Sequence, residues 1–215
     1  MNELVISLME QNEITEAIRV LSLAMLRNPL HVAVFKGKDE EACRGLDYIH
    51  YALFNDSPGV VFLGKINKEV VGVLRMKSCP DSQVFIEKDD KKVLRLSLYN
   101  RRLNSLGRKI LNRLVLKDKT TRVYHWYKTW GNHHPSEPHW YLGPFGVLPS
   151  HQGTGIGTAL MQRFCSEVNA CKAAAYLVTD LPKNVYFYQK YGFQVIDEAD
   201  IFSVNNYFMW RSAVL

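Results

Sequence analysis

The chain has 215 residues, enough for one domain with room for an insertion, and 47% of them are hydrophobic, so a sizeable core can be buried. No basic-then-apolar leader opens it, and no apolar run reaches the roughly 18 residues that a membrane-spanning helix needs. The net charge of +6 is concentrated between Glu87 and Lys128, where 13 Lys or Arg stand against 4 Asp or Glu. A solvated helical face, attraction of a polyanionic cofactor or acidic substrate, and nucleic-acid binding could each account for that segment. It carries no recognition-helix or RNA-binding motif, so no nucleic-acid partner is expected. The four cysteines, Cys43, Cys79, Cys165 and Cys171, show no C-x-x-C pair. They read as reduced thiols in a cytoplasmic protein.

The chain opens with a strand-like run, 3-ELVISLM-9. Residues 13–27 place Ile14, Ile18, Leu21 and Met25 at helical spacing, and a second helix is predicted from about Asp39 to Phe54. Two apolar runs, 59–66 and 69–76, flank Asn67-Lys68 and predict a hairpin. The pattern loosens over about 80–137, which is expected to be a helical insertion within a single domain. Periodic apolar positions run from Leu94 to Leu116, and 123–140 is rich in aromatic residues that suit a substrate wall.

Order returns with a predicted strand over 139–147, a helix from about 155 to 170 and a strand over 173–179. A short helix over about 183–190 follows, ending at Gly192, and strands near 193–197 and 204–211 close the chain. In the second of these helices Ile156, Leu160, Phe164 and Val168 share one face.

The turn between the 139–147 strand and the following helix reads Gln152, Gly153, Thr154, Gly155, Ile156, Gly157. A strand, a glycine-rich turn and a helix start make a backbone anion site. The first helical N–H groups have no intrahelical partner, and the helix dipole adds partial positive charge there. A dinucleotide fingerprint would need glycine at 158, where Thr158 stands, and no Gly-Lys-Ser/Thr follows for a Walker loop. The remaining pattern is Q-x-x-G-x-G. It is joined by 184-NVYFYQKYGF-193, which supplies Asn184, Phe187, Tyr188, Gly192 and Phe193 just after the next strand.

With both motifs in place the chain resembles the GNAT superfamily of acyl-CoA N-acyltransferases, strongly over about 139–211 and more loosely in its opening plan. Pro138 to Gly157 and the 184–193 segment are most similar to the puromycin N-acetyltransferase group. Three positions depart from that group's usual pattern: Val178 replaces a glutamate, Tyr186 a proline and Leu148 an acidic residue.

The resemblance implies an α/β (α+β) fold: a mixed, mostly antiparallel sheet of six or seven strands, with a splayed central strand and flanking helices. It implies acetyl-CoA as co-substrate, with Gln152, Gly153, Thr154, Gly155, Ile156, Gly157 and Thr158 wrapping the pyrophosphate. The backbone of Phe145, Gly146 and Val147 would bind the pantetheine arm. Asn184 would cap its helix or touch that arm, and Tyr188 would protonate the departing thiolate. The interruption at Gly143-Pro144 predicts a bulge in the strand. Glu137 or His139, entering the same strand, is a candidate general base. His133, His134 and His139 are not spaced as a recognised ligand set, so no metal is expected. The implied activity is direct acetyl transfer to a primary amine of a small molecule. A protein or peptide N-acetyltransferase and a non-catalytic acyl-CoA-binding module are the alternatives. Such enzymes are commonly homodimers, and the same is expected here.

Overall fold

A computed structural model describes residues 3–57, 59–79 and 115–214. The helices expected between Leu94 and about 114, and most of the basic segment, lie outside these residues.

The first strand, β1 (Leu4–Leu8), leads into helix α1 (Ile14–Met25), a short helix α2 (Pro29–Phe35) and the longer α3 (Glu40–Asp56). The hairpin follows as β2 (Val60–Ile66) and β3 (Glu69–Ser78). Its central residues Asn67 and Lys68 both have positive φ, as a tight two-residue hairpin turn demands. Within the stretch expected as the insertion lies helix α4 (Thr120–Asn132), and after it come strand β4 (His139–Val147), helix α5 (Ile156–Ala170) and strand β5 (Ala174–Thr179). Helix α6 (Pro182–Gln189) and the hairpin β6 (Gln194–Ile201) and β7 (Val204–Arg211) complete the fold. Among the described residues no single helix is long and apolar enough to cross a membrane.

Seven strands form one sheet in the order β1-β2-β3-β4-β5-β7-β6. Every pair is antiparallel except β4 with β5, which run parallel. The expected mixed, mostly antiparallel sheet with flanking helices is therefore observed, with seven strands. Helix α1 packs on β3 and β4 and also against α3, while α5 packs on β1, β2, β3 and β4. The α5 stripe Ile156, Leu160, Phe164 and Val168 is buried to 1% exposure or less. Each such side chain contributes about 1.5–3 kcal/mol of transfer free energy.

One element was not anticipated, and another fell within the expected helical insertion. Helix α2 was missed because seven residues are too few to show a period. Its signal was local. Asn28 caps it, accepting a hydrogen bond from the His31 amide at 3.2 Å, and Pro29 occupies the first helical position. Helix α4 falls within the aromatic stretch, with only Val123 and Trp126 buried on it.

Two buried histidines lie among α1, α2 and α3. His50 Nδ1 meets Ser22 Oγ at 3.1 Å, and burial pulls its pKa down from 6.5 to about 3. His31 Nδ1 meets Asn28 Oδ1 at 2.6 Å, and burial lowers its pKa to about 4, opposed by Asp180. Both folded values lie below the unfolded one. The unfolded chain therefore binds more protons between pH 6.5 and about 4, and stability rises with pH across that window. We predict a loss on the order of a few kcal/mol between pH 7 and pH 4.5 in urea unfolding. His50→Gln, which cannot titrate, should flatten the slope; an unchanged slope in that variant would show that His50 does not contribute.

Candidate active site

Strand β4 is paired with β5 only through four positions, from His139↔Ala174 to Leu142↔Leu177. Beyond Leu142 it continues along β3 alone, pairing Phe145 with Leu74, Gly146 with Val73 and Val147 with Gly72. Between these two stretches the β3–β4 register shifts, because β4 advances three residues while β3 advances two. The extra residue sits at Gly143-Pro144, where proline has no N–H to give a ladder. The expected bulge and splay are both present.

The bulge is held from behind by Arg75, which is 1% exposed. Its Nη1 donates to the Gly143 carbonyl at 3.0 Å and its Nη2 to the Ser57 carbonyl at 2.5 Å. Burial lowers the guanidinium pKa to about 10, so it stays charged at neutral pH.

The parting of the strands exposes backbone. Leu148 donates its N–H to the Val71 carbonyl at 2.8 Å. By the two-residue alternation of an antiparallel ladder, Gly146 then faces β3, while Phe145 and Val147 turn their polar groups toward the gap. The Val147 carbonyl is taken by Gln152, whose Nε2 donates to it at 3.1 Å. Gln152 thus ties the glycine turn back to the end of β4.

The turn itself needs glycine. Gly153 and Gly155 have φ of +81° and +90°, and a Cβ on either would meet no atom within 4 Å. Backbone conformation and not crowding therefore demands glycine at these two positions. Gly155 is the N-cap of α5, and its carbonyl accepts the first helical bond, from Ala159 N–H at 3.0 Å. The N–H groups from Gly153 to Thr158 donate to no acceptor among the described residues. The opposite wall is tight. A Cβ on Gly146 would lie 2.8 Å from Ala24 Cβ, so α1 approaches β4 only because position 146 has no side chain.

These parts enclose a cleft of about 1010 Å³. Phe145 to Gly153 and Gly157 line one side, Met25 to Asn28 another, and Asn184, Phe187 and Tyr188 of α6 a third. Arg27 and Lys183 also line it and have no salt-bridge partner among the described residues, whereas Arg19 is paired with Glu16 at 2.7 Å. The α1–α2 turn is fastened across the cleft to the end of β5. Asp180 accepts from Asn28 Nδ2 at 2.6 Å and from Leu30 N–H at 2.8 Å. Asn184 Nδ2 donates to Thr179 Oγ1 at 3.3 Å, anchoring the start of α6.

Residues 114–195, which include α4, β4, α5, β5, α6 and the first two residues of β6, match the family model described as an acetyltransferase (GNAT) domain. That match covers 82 of the 215 residues. Three solved structures share its fold. One from Corynebacterium glutamicum, described as histone acetyltransferase HPA2 and related acetyltransferase, is 16% identical at a TM-score of 0.66. That match covers 100% of this chain and 98% of the other. The ribosomal-protein-S18-alanine N-acetyltransferase of Escherichia coli is 11% identical at 0.57, covering 99% and 96%. A GNAT family acetyltransferase of Brucella melitensis, in complex with acetyl-CoA, is 13% identical at 0.53, covering 99% and 89%. At these identities the likeness speaks to the fold alone.

Within the matched segment, Tyr188 lies on the cleft wall, and burial, with Tyr141 and Asp180 nearby, raises its pKa above the ordinary 10. It stays protonated at neutral pH. Glu137 and His139 do not line the cleft. His139 precedes Phe145 by six residues, about 20 Å of extended strand at ~3.3 Å per residue, less what the bulge takes up. Its imidazole is fully buried, with Nδ1 donating to the Glu137 carbonyl at 2.6 Å. Glu137 itself is exposed, two residues before β4 begins. Of the expected residues, Phe145, Gly146, Val147, Gln152, Gly153, Gly157, Asn184 and Tyr188 line the cleft, whereas Thr154, Gly155, Ile156 and Thr158 do not, and neither does either candidate base. Sequence reasoning missed Arg27, Asn28 and Lys183 and gave Asp180 no structural role. The only local signal was the Asn28-Pro29 helix start.

Replacing Asp180 with alanine would leave the buried Leu30 N–H and the Asn28 amide without their acceptor. We predict a loss of about 1–3 kcal/mol in urea unfolding at pH 7. A loss under ~0.5 kcal/mol would mean that the clamp does not hold the turn.

Proposed function

We propose that the cleft binds acetyl-CoA and that the protein transfers the acetyl group directly to a primary amine of a small molecule. The observation that carries this reading is the unpaired backbone array: the turn from Gly153 to Thr158 and the gap-facing edge of β4. The turn would take the pyrophosphate and the β4 edge the amide-bearing pantetheine arm. Arg27 and Lys183 would add charge at the phosphate end. The thioester would then lie along β4 toward the bulge, between Phe145 and Tyr188.

In this geometry the neutral amine attacks the thioester carbonyl. The Phe145 N–H stabilises the oxyanion that forms. The intermediate collapses by breaking the C–S bond, Tyr188 gives its proton to the leaving thiolate, and the new amide nitrogen loses its extra proton to solvent. Holding both reactants side by side supplies much of the rate through proximity. Neither Glu137 nor His139 contacts the cleft, so either could act on the amine only through intervening water. The similarity of 138–157 and 184–193 to puromycin N-acetyltransferases supports a related enzyme. Val178 and Tyr186 replace that group's residues on the acceptor side and argue for a different amine. The four cysteines form no disulfide, which fits a cytoplasmic enzyme.

Release of free thiol from acetyl-CoA, measured against a panel of small amines and a panel of peptides, tests the proposal. Turnover confined to peptides would move the assignment to a protein N-acetyltransferase, and acetyl-CoA binding without turnover on any amine would make it a binding module. Gly155→Ala forces a side chain into a φ of +90° and misdirects the amides. Its Kd for acetyl-CoA should rise about tenfold or more by calorimetry, and equal binding would refute the loop assignment. Tyr188→Phe should lower kcat by about 10²-fold or more with little change in acetyl-CoA affinity. Unchanged turnover across pH 6 to 9 would remove Tyr188 as the acid.

A further inference from the structure

At the far end of β4 from the cleft, three side chains from separate elements converge. Cys79 directly follows β3, His134 follows α4, and His139 opens β4. Each brings one potential ligand atom to within 4.8 Å of the other two. His139 is fully buried and Cys79 is 7% exposed. Both imidazoles are oriented by main-chain carbonyls. His139 Nδ1 donates to the Glu137 carbonyl at 2.6 Å, and His134 Nδ1 meets the Pro135 carbonyl at 3.1 Å. A carbonyl only accepts, so each Nδ1 carries the proton and each Nε2 presents a lone pair. His134 Nε2 lies 3.8 Å from Cys79 Sγ. His139 Nε2 is buried with no hydrogen-bond partner among the described residues. A buried nitrogen left unpaired costs free energy, and a ligand would recover it.

We propose that Cys79, His134 and His139 form a binding site for a soft or borderline d¹⁰ cation, Zn²⁺ or Cu⁺, distinct from the acetyl-CoA cleft. The donor set is one thiolate and two imidazoles whose outer nitrogens are already fixed by backbone carbonyls, as metal-ligating histidines usually are. A tetrahedral centre with Zn–N of about 2.0 Å and Zn–S of about 2.3 Å separates its N and S ligand atoms by about 3.5 Å. The 3.8 Å between His134 Nε2 and Cys79 Sγ is already near that value. The walls are aromatic. Tyr176 lies 5.0 Å from His134 and 5.5 Å from His139, and Trp210 lies 5.5 Å from His139, ring centre to ring centre. On binding, the Cys79 thiol releases its proton to solvent and a metal–sulfur bond forms. Both imidazoles bind in their neutral form, and no oxidation state changes. The bound ion would join the end of β3, the start of β4 and the segment after α4.

The test uses the full chain, stripped with chelator and reduced. Zn²⁺ is titrated in competition with a chromophoric chelator, Cu⁺ with a Cu⁺-specific one under anaerobic conditions, and Co²⁺ serves as the optical probe. One equivalent of metal per chain should bind, and Co²⁺ should give a thiolate-to-metal charge-transfer band. Cys79→Ser should abolish the band, and His134→Ala at the half-buried ligand should weaken binding at least about tenfold. Cys43→Ser and Cys171→Ser serve as controls and should leave the band intact. Circular dichroism on each variant reports folding, and His134→Ala keeps the question answerable if Cys79→Ser does not fold. Binding of Co²⁺ without a thiolate band, retention of the band in Cys79→Ser, or no binding of any of the three metals at micromolar concentration would overturn the site.

Discussion

The whole arrangement depends on β4 leaving β5 after four paired residues. A parallel pair that stayed zipped to the end would satisfy its own backbone and leave nothing for a ligand to bond. The bulge at Gly143-Pro144 breaks that pairing, and Arg75 fixes the broken shape by donating to the Gly143 carbonyl and to the end of α3 at Ser57. A buried guanidinium is costly unless its donors are matched. Here the match lies in carbonyls that the bulge and a helix end present. The hydrogen bond between Arg75 and Gly143 gives the carbonyl at the bulge a donor and the buried cation an acceptor in one contact.

The same strand carries two chemistries, separated by its length. Its C-terminal half offers backbone donors to an anion and an amide-bearing arm. Its N-terminal half offers imidazole and, from β3, a thiol. The two regions share a rigid element but no lining residue. His139 is the clearest case of a residue whose place on the strand suits one region while its type suggested the other.

The cleft is assembled from parts far apart in the chain. Asp180, at the end of β5, reaches back to Asn28 and Leu30 and draws the α1–α2 turn over the gap. Gly146 lets α1 come close enough for that reach. Arg27 arrives at the cleft as a consequence, being carried by the turn that Asp180 holds. In the proposed reading, cationic side chains, backbone amides and a helix N-terminus would act in the same direction on a phosphate.

Local pattern was enough to write down most of the elements, because each strand and long helix repeats its apolar residues at its own period. Ile156, Leu160, Phe164 and Val168 mark α5 unaided, and Asn67-Lys68 marks the hairpin. The glycine turn was equally legible, since positive φ at Gly153 and Gly155 and a helix start are local properties of six consecutive residues. The bulge at Pro144 followed from a missing N–H. The rest needed three dimensions. Which cations line the cleft and what Asp180 holds depend on contacts between residues far apart in the chain, 150 and 152 positions for Asp180, and hydrophobic period carries no information about such pairs. Cys79 and His134 stand 55 residues apart and could not be read as partners from spacing. The sequence by itself determined the elements and the glycine turn, because those are set by neighbours along the chain; only the tertiary structure decided the cleft walls and the thiol–imidazole cluster, because the fold alone brings their residues together.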